Sequence, residues 1–203
     1  MCRLLSAVIL LGIALPASAA DLPAVKTVEA QPLLAQAKRL AQALDSLGQP
    51  LPATTAEPLA ALKAKDGDAA VAIVQALLDP LCMAAVEIDE KGVAKVTTSA
   101  TKPELVEQGW RVCLVKVLNK PGATGQLRID SPSAKPVPHS PKDDVLSRWL
   151  SLVPHTAQPL LPNLSGLELE YTLVQVYSCD AGEKTAEINF RVEGGTGLAA
   201  AKG

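Results

Sequence analysis

The chain has 203 residues, with 19 basic and 21 acidic side chains and a formal net charge of −2. That balance argues against a nucleic-acid binder, whose phosphate contacts need a clustered basic surface. The only aromatic side chains are Trp110, Trp149, Tyr171, Tyr177 and Phe190, so the expected core is aliphatic and aromatic platforms for bases or sugars are poorly supplied.

The first segment carries Arg3 as its only charge, an apolar run over residues 4–15, then Pro16 and the small residues Ala17, Ser18, Ala19 and Ala20. A basic start, a short apolar centre and a small-residue ending are what signal peptidase reads. The pattern predicts a signal peptide over residues 1–19, cut after Ala19, and export to the periplasm or the extracellular space. The run is shorter than the roughly 20 residues that cross a bilayer. Cys2 lies ahead of it and not at its end, so a lipid anchor is not expected. The processed chain would keep 18 basic and 21 acidic groups, a charge of −3, and no membrane anchor.

Residues 29–79 read as a helical segment. Leu33, Ala37, Leu40, Leu44 and Leu47 recur at steps of three and four, which places them on one helical stripe, and Gly48 and Pro50 end it. A second short helix is expected over 58–64 with Pro58 in its first turn. A third starts at the caps Asp66 and Asp68 and runs through Val71, Val74, Leu77 and Leu78 to Asp79-Pro80.

At Leu81 the apolar period becomes two, as in a half-buried strand. Cys82, Ala84, Val86 and Ile88 alternate with Met83, Ala85, Glu87 and Asp89; residues 89–92 turn and 93–98 return. Residues 110–118 are apolar on nearly both faces, interrupted by Arg111 and Lys116, as a central strand would be. Residues 119–122 form a turn before Leu127 and Ile129. The stretch 131–165 is proline-rich and expected to be irregular, with residues 145–153 as a short edge strand. Leu167, Leu169, Tyr171 and Leu173, followed after the 180–184 loop by Ala186, Ile188, Phe190 and Val192, read as a β-hairpin with one face buried. Short strands joined by Gly and Pro turns predict a mainly β fold: an antiparallel Ig-like β-sandwich over residues 80–193, with the small helical segment before it and a flexible tail over 194–203.

Residues 78–86 (LDPLCMAAV), 109–119 (GWRVCLVKVLN), 148–150 (RWL), 164–171 (LSGLELEY) and 177–182 (YSCDAG) together resemble the N-terminal region of large exported planctomycete-type bacterial proteins. In those proteins this region precedes a further β domain and a metal-dependent hydrolase domain of the PHP kind. The resemblance covers residues 70–195 and implies an accessory domain. The family's metal-binding histidines lie downstream of the matching region, so no catalytic residue carries over. The resemblance also admits a truncated form of such a protein.

The residues capable of chemistry are few. His139 and His155 are the only histidines, and a metal site would need further ligands, with Asp143, Asp144 and Asp180 as the nearby or mobile carboxylates. Solvated loop histidines are the plainer reading. Ser140 and Ser151 lie near them in sequence, without a nucleophile-elbow motif. Glu168 and Glu170 are paired carboxylates that alternation places on a solvated strand face. Gly194-Gly195-Thr196-Gly197 lacks the helix and lysine of a phosphate cradle. Export permits disulfides. Cys82 and Cys113 are the candidate pair if both point between the sheets, and two buried thiols otherwise, with Cys179 left over.

These readings predict a non-catalytic exported module for binding or scaffolding, without cofactor or metal, acting on an unidentified protein partner or ligand. The alternatives are a fragment or subunit of a metal-dependent hydrolase, implied by the resemblance, and a partner-docking role for the first helix.

Overall fold

The computed structural model describes residues 22–26, 28–90, 93–134 and 148–193, and the backbone of 199–202. The signal-peptide segment, His139, Ser140, Asp143 and Asp144 lie outside the described residues.

Helix α1, Ala30–Ser46, buries Leu33, Ala37, Leu40 and Leu44, the stripe its sequence spacing predicts. It closes on Gly48, whose φ of +74° suits glycine and whose N–H reaches the Asp45 carbonyl at 2.9 Å. Helix α2 spans Ala53–Ala61 and not residues 58–64. Pro52 sets its entry, and Thr55 and Leu59, one turn apart, supply its buried face. Pro58 therefore sits in the interior, where it leaves the Thr54 carbonyl without its helical donor. Helix α3, Gly67–Leu78, buries Ala70, Val71, Val74 and Leu78. Asp66 does not cap it; its carboxylate accepts the Lys63 N–H at 3.0 Å and closes the preceding 3₁₀ turn. A second 3₁₀ turn, Asp79–Leu81, leads into the sheets.

The strands are β1 Cys82–Ile88, β2 Ala94–Thr98, β3 Gly109–Asn119, β4 Leu127–Asp130, β5 Leu150–Pro154, β6 Leu169–Ser178, β7 Glu187–Val192 and β8 Ala199–Lys202. They form a five-stranded sheet in the order β2-β1-β3-β6-β5 and a three-stranded sheet β4-β7-β8. With about 32% strand and 28% helix, the fold is mixed α/β and not mainly β, and the sheets curl into a half-barrel. Nor is the pairing antiparallel throughout. β1 hairpins onto β2 at the outer edge, the 99–108 loop crosses back, and β3 then runs parallel to β1.

The expected hairpin near the end is also revised: β6 lies between β3 and β5 in the larger sheet, while β7 belongs to the smaller one. Both faces of β6 are covered. Leu169, Tyr171 and Leu173 join the cluster beneath the helices, and Val174 and Val176 join the cluster between the sheets. The result is three layers: helices, large sheet and small sheet. Strands covered on both faces read as continuous apolar runs, which is why residues 110–118 show so little alternation. In the stretch expected to be a flexible tail, residues 199–202 pair antiparallel with β7, from Phe190↔Ala199 to Glu187↔Lys202.

Candidate functional site

The curl of the sheets leaves a cavity of about 610 Å³ at the Ser178 end of β6. The short smaller sheet covers the middle of the large one, where Val86, Val115, Val117, Phe190 and Val192 fill the space between them. Beyond that filled region the layers separate. Met83 and Ala84 from β1, Leu150 and Leu152 from β5, Val176 from β6, and Ile188 and Phe190 from β7 line the opening, with Trp149 beside them.

Two loops frame the mouth, and both are anchored at Ser178. The Ser178 carbonyl accepts the Gln108 N–H at 2.8 Å, fixing the end of the 99–108 loop. The Ser178 hydroxyl donates to the Asp180 carbonyl at 2.8 Å, turning the chain into the 180–186 loop. The Cys179 N–H donates to the Trp149 carbonyl at 2.8 Å, which positions Trp149 at the same end. A Cβ at Gly109, at the head of β3, would come within 2.9 Å of the Val106 side chain, which would have to shift to admit it.

The rim carries Lys102, Glu104 and Glu107 from the first loop, and Asp180, Glu183 and Lys184 from the second. Lys102 reaches across to Glu183 at 3.5 Å, and Lys184 pairs with Asp180 at 3.1 Å. Both pairs are exposed, so each holds its loop only weakly.

A second cavity, of about 40 Å³, lies at the far end of β5, lined by Gln36, Arg39, His155, Glu170 and Tyr171 among others. Ligand pockets usually occupy about 300–1,000 Å³, so the larger cavity has ligand dimensions and this one does not. Gln36 donates through Nε2 to the Tyr171 carbonyl, while Gln36 Oε1 and His155 Nε2 are buried without a protein partner. Glu170 is not on a solvated face. It is 6% exposed and accepts the Ser165 N–H at 3.0 Å and the Ser165 hydroxyl at 2.9 Å. Burial raises its pKa above the ordinary carboxylate value, and the hydrogen bonds from Ser165 and Asn119 oppose that shift.

The remaining candidates are scattered. Ser151 and His155 stand at opposite ends of β5, about 13 Å apart at strand rise, so they cannot share a proton. His155 donates its backbone N–H to Leu173, whereas Asp180 lies beyond Ser178 at the other end of β6. Among the described residues no three His, Cys, Asp or Glu side chains converge on a metal position.

The cysteine pair is not formed: Cys82, Cys113 and Cys179 are free. An irregularity in register between Cys82 and Ala84 interrupts the alternation of β1. Cys82 consequently packs beneath the helices while Cys113 packs between the sheets. Burial pushes the Cys113 thiol up to about 11 and lifts Cys82 further, with Asp79 adding to the shift.

No family model, curated protein or solved structure matches this chain. The site therefore has to be read from its own chemistry. The cavity joins residues from five strands and two loops, and sequence spacing carried no sign that Met83, Trp149, Leu152 and Ile188 would meet.

Proposed function

We propose that this protein is an exported, non-catalytic binding module that holds a small apolar molecule between its two sheets. The observation that carries this reading is the cavity of about 610 Å³, walled by aliphatic and aromatic side chains and reached through a charged rim. Removing apolar surface from water drives such a ligand in, at roughly 25 cal/mol per Å² buried before association costs. The two sheets pack against each other across an apolar cluster, and the site opens beyond it where the sheets curl apart. Export rests on the composition of residues 1–19. The resemblance to the N-terminal region of larger exported proteins supports an accessory role, with the ligand or its carrier as partner.

The test is titration with Nile red, a neutral dye that brightens in apolar surroundings. Saturable binding to the unaltered protein is expected, with loss of binding in Ala84→Phe, which fills the cavity from β1, and in Ile188→Trp, which fills it from β7. Circular dichroism of both variants shows whether they remain folded. Undiminished dye binding by folded variants would contradict the reading, as would no binding by the unaltered protein.

A further inference from the structure

The cavity and its rim make different demands on a ligand, and together they narrow its class. The walls contributed by Met83, Leu152, Ile188 and Phe190 offer no charge. The rim does. Of its six charged groups, Lys102 is paired with Glu183 and Lys184 with Asp180. Glu104 and Glu107, three residues apart on the 99–108 loop, are in no ion pair among the described residues. The mouth therefore carries two uncompensated negative charges, against a net of −3 for the whole processed chain. An anionic headgroup would be repelled there, and a neutral one would gain nothing from either carboxylate. A cationic headgroup at the rim would be attracted by these carboxylates, and Trp149 at the same opening can add attraction for a cation.

Resting on the cavity reading above, we infer that the ligand is an amphipathic cation: an apolar body seated between the sheets, with an amine or quaternary ammonium group held at the rim by Glu104 and Glu107. These carboxylates select the ligand, and the apolar walls retain it. The arrangement divides the work as ligand sites commonly do, with many apolar contacts for affinity and a few placed charges for orientation. Because the carboxylates are exposed, their contribution is modest and falls with salt.

The experiment compares octyltrimethylammonium, 1-octanol and octanoate, each below its micelle-forming concentration. Binding is followed by tryptophan fluorescence in a Trp110→Phe background, where Trp149 is the only indole left. The cation is expected to bind roughly tenfold more tightly than the alcohol, and octanoate more weakly than either. In Glu104→Gln/Glu107→Gln the advantage of the cation should shrink to near unity while 1-octanol binds as before. Added sodium chloride should reduce the advantage in the parent protein and leave the double variant unaffected.

Equal binding of the three compounds would overturn the charge selection and leave the apolar cavity standing. So would a preference for octanoate, or a cation preference that survives the double substitution. If none of the three perturbs Trp149, the cavity reading falls with it.

Discussion

Lys116 shows how much a single buried residue can organise. Its side chain is fully buried in the middle of β3, and its ammonium donates to Asp79 at 2.7 Å and to Gln75 at 3.1 Å. Tyr171 donates its hydroxyl to the other Asp79 oxygen at 2.8 Å, and Gln75 continues the network to the Val25 carbonyl at 2.8 Å. The helices are thereby tied to the sheet through a polar centre. Removing one partner of a buried pair strands the other, at about 3–5 kcal/mol. Asp79→Ala should cost that much in urea unfolding, because the ammonium it leaves has no access to water. Lys116→Met should cost less, since the Asp79 side chain is 20% exposed and keeps the tyrosine hydroxyl. Equal losses would show that the charge is not the source of the effect.

Glu170 gives a pH signature at the same scale. Its carboxyl has a raised pKa in the folded state, relative to an ordinary value of 4.5. The folded protein therefore holds this proton more tightly than the unfolded chain does. The group adds no penalty below the unfolded pKa and destabilises increasingly as pH rises through the folded one. Glu170→Gln keeps an acceptor for Ser165 without the charge, so its stability should fall less than that of the parent between pH about 4.5 and neutrality. Parallel stability curves from urea melts across that range would contradict the assignment. Neither residue's role was legible in the sequence. Lys116 looked like an interruption of an apolar strand, and Glu170 looked solvated, because alternation reports which residues share a face and not what covers it.

At the scale of elements, regular stretches were readable and irregular ones were not. The stripe from Leu33 to Leu44 gave α1 nearly to its ends, because a helix that buries one face must repeat its apolar residues. The strand at residues 82–88 was equally plain, yet its faces were misassigned by a one-residue irregularity next to Met83, and a bulge leaves no clear mark in composition. That irregularity decides the cysteine chemistry by sending Cys82 and Cys113 to opposite faces of the sheet. Of Cys82, Cys113 and Cys179, iodoacetamide should label only Cys179 in the folded protein, and label Cys82 and Cys113 only after unfolding, without need of a reductant. A requirement for reductant would mean that the two thiols are bonded and that the register of β1 is different. The parallel pairing of β1 with β3 escaped the sequence for a related reason: strand patterns carry no direction.

At the scale of the whole molecule, the proposed binding site follows from how unequal layers fit. Three strands cannot cover a five-stranded sheet whose central strands β3 and β6 run to 11 and 10 residues, so the core closes over the middle and opens into the cavity at the Ser178 end of β6. That opening was invisible in the sequence, because its lining comes from β1, β2, β5, β6, β7 and two loops, and no periodicity joins them. Entry of a ligand there is the decisive property of the proposed site. Met83 lines the cavity, and Met1 is the only other methionine in the chain, so a ¹³C-methyl methionine label places an NMR probe inside the site. On titration with 1-octanol the Met83 methyl resonance should shift and saturate along a single-site curve, and Ala84→Phe should abolish the shift. A Met83 resonance that stays fixed up to the solubility limit of the alcohol would contradict the account.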